Sequence, residues 1–240
     1  MASQKTMSRF ARWHIWLAWL TGIPILMWTL TGLVMVAKPI EEVRGNHLRI
    51  ERTEPSLPTN NGITIDLAPA VRKPVKEITA TMWRGAPVTR ITFMDGSMER
   101  FDAMGRRMPA LDEPEIRAIV AEQIVGGDRI ETLTFFDADE VPQDFRRPSP
   151  VWQARLADGT HVYIGAQSGE VEAVRTRWWR VFDVMWGLHI MDLQTREDTH
   201  HPTLIVFAVL ALLGSLFGTV LMFRRRKARV KVPRKAATHA

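Results

Sequence analysis

Two long stretches without a single charged residue bracket this chain, and they constrain its fold more than anything between them. Ile15 to Ala37 is 23 residues long and Pro202 to Phe223 is 22. At about 1.5 Å rise per residue each makes a helix of roughly 33–35 Å, enough to cross a hydrocarbon core of roughly 30 Å. A mean hydropathy of −0.09 for the whole chain hides them by averaging them with a charged middle. These runs exclude a purely soluble protein. The first is longer than a secretory signal core, and Met35-Val36-Ala37 makes a poor cleavage site, so it is read as a retained anchor. Cysteine is absent, which excludes disulfides, thiol catalysis, Cys-ligated zinc, iron–sulfur clusters and c-type haem attachment.

Charge sets the expected topology. Residues 1–12 carry Lys5, Arg9 and Arg12 and no acid; residues 224–240 carry eight Lys and Arg and no acid. With a net charge of +6 overall, the 13–223 stretch is left acidic. Basic flanks stay cytoplasmic, so both termini are predicted inside and the middle outside. The high pI then reports two tails that clamp anionic headgroups, and nucleic-acid binding is not expected. Seven of the nine Trp fall in or beside the apolar segments, where an amphipathic ring favours the headgroup boundary.

Between the spans the pattern shortens to alternating segments. Ile65–Val75 reads as a short helix limited by Pro69 and Pro74, followed by strands at Ile78–Trp83, Val88–Phe93 and Met98–Ala103, with Met94-Asp95-Gly96-Ser97 as a hairpin turn. A second round opens with Asp112-Glu113-Pro114, predicting a helix to Val125 that Gly126-Gly127 ends. Strands follow at Ile130–Phe136, Val151–Leu156 and His161–Ile164, with Ala157-Asp158-Gly159-Thr160 as a turn. Helix and three strands, twice, predicts an internally duplicated α+β unit, 65–106 and 112–174.

The stretch from Arg155 to Val171, with its Asp158-Gly159 hairpin, its strand and a closing Ser168-Gly169-Glu170-Val171, resembles the end of a PepSY domain. Arg12-Trp13-His14 before an apolar run with Thr31-Gly32 resembles the first helix of the PepSY-associated transmembrane family. Gly187-Leu188-His189, a polar loop, a helix and Arg224-Arg225-Arg226 resemble that family's closing pattern. The resemblance implies a protein of the bacterial inner membrane with a periplasmic PepSY-like domain. The expected organisation is a cytoplasmic tail (1–12), a transmembrane helix (13–37), the periplasmic α+β domain with antiparallel sheet (38–174), an interfacial amphipathic helix and loop (175–201), a second transmembrane helix (202–223) and a basic cytoplasmic tail (224–240). Several members are similar to haem-containing reductases of ferric iron or ferric siderophores.

The resemblance makes the histidines candidate ligands of haem b, which needs neutral imidazoles, an apolar slot and cations near its propionates. His14 lies near the cytoplasmic edge of the first helix, above Ala18, Gly22, Ile25, Thr29 and Gly32, a stripe that lets a porphyrin or another helix come close. Arg9 and Arg12 are placed to meet propionates. His189 sits in the amphipathic segment Arg177–Leu193, turned toward an apolar side that carries Trp178, Phe182, Met185 and Trp186, with Arg175, Arg177, Arg180 and Asp183 as the polar side. One of His200 and His201, at the outer start of the second helix, would complete ligation with His189. Alternatively Asp192, Glu197, Asp198, His200 and His201 form a polar cluster for ferric iron. A six-coordinate inner haem needs a second copy's His14 or Met222, and two helices cannot enclose a macrocycle; a homodimeric four-helix bundle with one or two haems, possible sharing between protomers included, is expected. An unidentified donor would supply the electrons. His47, His161 and His239 are read as surface residues. The competing reading is a non-catalytic membrane-anchored PepSY module that binds or restrains a periplasmic peptidase or sensor.

Overall fold

The computed structural model describes residues 2–51, 55–59 and 73–229. The chain divides into two units, one formed by residues 1–37 with 181–240 and the other by residues 38–180.

In the first unit, α1 (Ala2–Met35) packs antiparallel to α5 (Pro202–Arg229). Their segments Thr6–Met35 and Pro202–Phe223 are long and apolar enough to cross a membrane. The sheltered positions of α1 are Phe10, His14, Leu17, Thr21, Pro24, Trp28 and Thr31; those of α5 are Leu204, Phe207, Ala211, Gly214, Phe217, Gly218 and Leu221. Alternating steps of three and four are the seam of two helices crossing at a shallow left-handed angle. Phe10 and Phe217 meet across it with ring centroids 5.5 Å apart. The polar side chains on α1 are settled locally: Thr21 donates to the Leu17 carbonyl (2.7 Å) and Thr29 to the Ile25 carbonyl (2.8 Å), which removes unmet donors from an apolar surround.

This seam corrects the expected face of His14. Ala18, Gly22, Ile25 and Thr29 are exposed, and a Cβ built on Gly22 meets nothing within 4 Å. The contact follows i+3 and i+7 from His14, because a shallow crossing keeps to a 3.5-residue period, whereas the i+4, i+8, i+11 stripe drifts off it.

The second unit is α+β. A short helix α2 (Ile40–Val43) precedes a three-stranded antiparallel sheet, β1 (Val75–Trp83), β2 (Ala86–Phe93) and β3 (Met98–Phe101), in sequence order. Asp95-Gly96 makes the β2–β3 turn, with Gly96 at φ 81° and the Ser97 amide donating to Asp95 (2.9 Å). The expected helix from Ile65 lies outside the described residues as far as residue 72; its last position, Val75, opens β1 instead. Next comes α3 (Glu113–Gln123), started by a reciprocal capping box between Asp112 and Glu115 and ended before Gly126 at φ 75°.

A second antiparallel sheet follows, and it has four strands where three were expected: β4 (Ile130–Phe136), β5 (Val151–Leu156), β6 (His161–Gly165) and β7 (Val171–Arg175). β7 is only five residues long and pairs with β6 across a register shift at Tyr163–Ile164, so its alternation is too short to stand out in the sequence. One face of this sheet is covered by Ile116, Ile119 and Val120 of α3, which pack with Ala154, Leu156, Val162, Ile164 and Val174. The other is covered by Phe145 from the 137–150 segment, stacked on Tyr163 with centroids 5.0 Å apart. Burial on both faces explains why β6 reads as an unbroken apolar run. The helix α4 (Arg177–His189) leads out of this unit toward α5.

Candidate functional site

The segment after α4 is organised by one carboxylate. Asp192 accepts from the amides of Gln194 and Thr195 (3.1 Å each), from those of Glu197 and Asp198 (3.2 Å each), and from the Thr195 hydroxyl. That hydroxyl and the amides hold its pKa well below the usual carboxylate range. The loop then folds back on α4: Arg196 pairs with the buried Asp183, its carbonyl accepts from Trp186 Nε1 (3.0 Å), and a Cβ on Gly187 would come 2.8 Å from Arg196 Cγ. Asp183 is thus buried in an ion pair rather than placed on a solvent face, a correction to the expected polar side of α4. The expected iron-holding cluster is corrected too: Asp192 has spent both oxygens on the loop, and among the described residues no group of three His, Asp or Glu could hold a metal ion.

This folded-back loop anchors the end of α4 that carries His189. His189 Nδ1 lies 2.9 Å from Thr31 Oγ1, and its Cε1 is 3.7 Å from where a Gly32 Cβ would be. Thr31 is 2% exposed, and its single hydroxyl hydrogen is committed to the Met27 carbonyl (2.8 Å). Thr31 can therefore only accept from His189. The neutral ring carries its proton on Nδ1 and keeps the lone pair on Nε2.

His14 repeats this chemistry at the opposite end of the helix pair. Its Nδ1 lies 3.1 Å from the Gly214 carbonyl, an acceptor only, so Nδ1 again bears the proton. The ring packs on α5 so closely that a Cβ at Gly218 would come 2.9 Å from His14 Cε1. Among the described residues no hydrogen bond engages Nε2 of either ring. Seventeen residues of α1 separate His14 from Thr31, roughly 26 Å along the axis.

Leu17 faces Gly214; counting back along α5 as far as Thr31 lies beyond Leu17 reaches His200–His201, so these stand at the His189 end. His200 is exposed, with its amide bonded to Asp198 (2.8 Å). His201 is half-buried, and its Nδ1 is sealed without a partner among the described residues. Arg9 and Arg12 are exposed near His14 in α1. Met222 is 63% exposed, one turn beyond Gly218.

These residues fit the axial role in a b-type haem. A ligating imidazole ordinarily donates its other N–H to a fixed acceptor, which selects the tautomer and aims the ring, and both rings have that acceptor. Glycines at 32, 214 and 218 leave room for His189, Leu17 and His14 respectively, so that the two rings seat closely against the helix pair.

Sequence reasoning missed a polar network in the other unit. His161, expected to be an ordinary surface residue, is paired with Asp144 (Nδ1 to Oδ2, 3.2 Å), which also accepts from the Tyr163 phenol, while Arg175 Nε donates to the Asp144 carbonyl (2.7 Å). The hydrogen bonds from His161 and Tyr163 outweigh burial and lower the Asp144 pKa, whereas burial first, then Asp144, push the Tyr163 phenol up. The partner, Asp144, comes from an irregular segment 17 residues away, so only tertiary structure brings it in. The same unit holds a groove of about 800 Å³ where the β1–β2 hairpin meets α3 and the turn before β7. Neither family models, curated proteins nor solved structures provide a match to this chain.

Proposed function

We propose that this chain is a membrane oxidoreductase that holds haem b and passes electrons across the bacterial inner membrane to periplasmic ferric iron or ferric siderophore. The observation that carries the reading is the pair of imidazoles at opposite ends of the α1–α5 pair, each with Nδ1 spent on a fixed acceptor and Nε2 uncommitted. When bound, haem would supply reversible one-electron chemistry at its iron. The rest is done by the chain. Gly214 and Thr31 fix the two tautomers; Arg9 and Arg12 offer cations to propionates at the His14 end; His201 is the inward member of the His200–His201 pair at the other. Because α1 and α5 already touch along their shared seam, enclosure of a macrocycle needs helices from a second copy, hence a homodimeric four-helix bundle. The basic tails support a topology with both termini in the cytoplasm and the 38–180 unit in the periplasm. A cytoplasmic or quinol donor completes the relay.

The experiment is a pyridine haemochrome assay and Soret spectrum of the full chain purified in mild detergent as a dimer. A Soret band lost in His14→Ala and His189→Ala is expected; a colourless, well-folded protein overturns the reading. The groove in the 38–180 unit favours a second reading, a non-catalytic anchored PepSY module whose periplasmic domain binds a partner, and that reading survives a colourless result.

A further inference from the structure

The groove beside the β1–β2 hairpin has the wrong charge for a mere crevice. Its walls include Arg49, Arg84 and Arg90 against the carboxylates of Glu122 and Glu170. Arg84 pairs with Glu122 (3.1 Å) and Arg90 with Glu170, both partners reached from other elements. Arg49 has a backbone partner only: its Nη1 donates to the Val171 carbonyl (2.9 Å), and no carboxylate answers it among the described residues. A further cation lies behind the wall. Arg100 is 1% exposed, and its guanidinium sits 4.7 Å from the ring centroid of Trp83, which lines the groove. Only its Nη2 has an acceptor, the Pro109 carbonyl (3.0 Å); Nε and Nη1 have none among the described residues, and neither has Arg90 Nε. Burial lowers the Arg100 pKa, the cost of a guanidinium held where water is scarce. Arg90 and Arg100 are direct cross-strand partners on β2 and β3, a like-charged pair whose repulsion is offset by Glu170 at Arg90 and by Glu115 near Arg100.

The backbone places these groups rigidly. Arg84 (φ 50°) and Gly85 (φ 85°) form a two-residue turn of the primed kind between paired Trp83 and Ala86, so the Arg84 side chain projects from a fixed hairpin tip. Gly169, at φ 68°, passes so near Trp83 that a Cβ there would lie 3.3 Å from the indole; the turn preceding β7 therefore closes on the Trp83 side of the hairpin.

We propose that this groove is a binding site for a small polycarboxylate. Guanidinium forks match carboxylates in two-point geometry. The three lining arginines come from three segments and two are held by different carboxylates, so they spread charge around the cavity instead of converging on one compact anion. Met82, Trp83 and Ile50 supply apolar wall between them, suited to the carbon skeleton that joins a ligand's carboxylates. Glu122 and Glu170 stand in for such groups, and a ligand carboxylate takes their place at Arg84 and Arg90 while pairing with Arg49 as well. The inference stands whether or not the chain holds haem.

The test is isothermal titration of the detergent-solubilised full chain with citrate and, separately, inorganic phosphate. Saturable citrate binding that weakens as salt is added is expected, and it should fall about ten- to a hundredfold in Arg49→Ala and in Arg84→Ala, the loss of one charge-assisted bond. Arg155→Ala, whose side chain pairs with Glu131 on β4, should bind citrate as the parent does. Both variants alter exposed side chains, and unchanged far-UV circular dichroism establishes that they fold. Absence of citrate binding at millimolar concentration overturns the proposal, as does binding indifferent to Arg49 and Arg84. Phosphate binding equal to that of citrate also overturns it, since a single compact oxyanion would then suffice.

Discussion

Replacing Thr31 with Val keeps the shape of the side chain and deletes its oxygen, which isolates what that oxygen does for His189. In the native structure the hydroxyl gives its hydrogen to the Met27 carbonyl and takes one from His189 Nδ1 at 2.9 Å. Interhelical bonds of this kind in membranes contribute about 0.6 kcal/mol, up to about 1.7, so the helix pair should survive the change. The imidazole is affected more. Without an acceptor, an Nδ1–H in an apolar surround costs about 1–3 kcal/mol, and the proton can escape that cost by moving to Nε2. The lone pair then leaves the atom that the proposed haem needs. Loss of such a supporting bond lowers metal affinity about ten- to a hundredfold, equivalent to about 1.4–2.8 kcal/mol. Haem titration of the apoprotein in detergent should show this loss in Thr31→Val and recovery in Thr31→Ser. Nitrogen-15 spectra of the haem-free protein provide an independent readout: neutral His189 should carry its proton on Nδ1 in the parent and lose that preference in the Val variant. A parent ring protonated on Nε2, or a Val variant that binds haem like the parent while His189→Ala does not, would refute the argument.

Other outcomes follow from single contacts. Gly218→Ala puts a methyl 2.9 Å from His14 Cε1; the ring must shift off the Gly214 carbonyl, and a changed Soret spectrum and reduction potential without loss of the folded helix pair are expected. Gly127→Ala drives a methyl into the Val120 carbonyl, a backbone atom that cannot turn aside, so the 38–180 unit should lose about 2–4 kcal/mol, read as hydrogen exchange of its sheet amides. Ile119→Ala empties a fully buried position under the second sheet and should cost about 2–5 kcal/mol by the same measurement. Asp144 has a depressed folded-state pKa, so its contribution is complete above the unfolded value near 3.9 and fades as pH falls through the lower folded one. Asp144→Asn should flatten the acid limb of exchange protection around β6 below about pH 4. Glu172 has the opposite sign, because burial raises its pKa: its penalty grows as pH rises past about 4.3, and Glu172→Gln should be relatively more protected at pH 7 than at pH 4.

Much of this protein was readable because its elements announce themselves locally. An uncharged run of more than twenty residues has the length and composition to cross a membrane whatever packs beside it, and α5 contains the second expected segment while α1 contains the first as far as Met35. The Asp112–Glu115 capping box and Gly126 mark both ends of α3 by short-range bonding, and β4 and β5 keep the boundaries their alternation implies. The sequence also puts His14 beside an apolar run and His189 in an amphipathic segment, where ring nitrogens need partners, and each Nδ1 has one. What escaped was decided by contacts far apart in the chain. β7 is too short to show a period and exists because β6 offers it an open edge. The face His14 presents, the burial of Asp183 under Arg196, the commitment of Asp192 to its loop, and the His161–Asp144 pair all depend on which distant atom arrives, as do the two tautomers, since the acceptors that set them lie 158 and 200 residues from the rings they hold. Local free energy chooses helices, caps and strands; the proton on an imidazole and the partner of a buried charge are chosen by whatever the completed packing places within 3 Å of them.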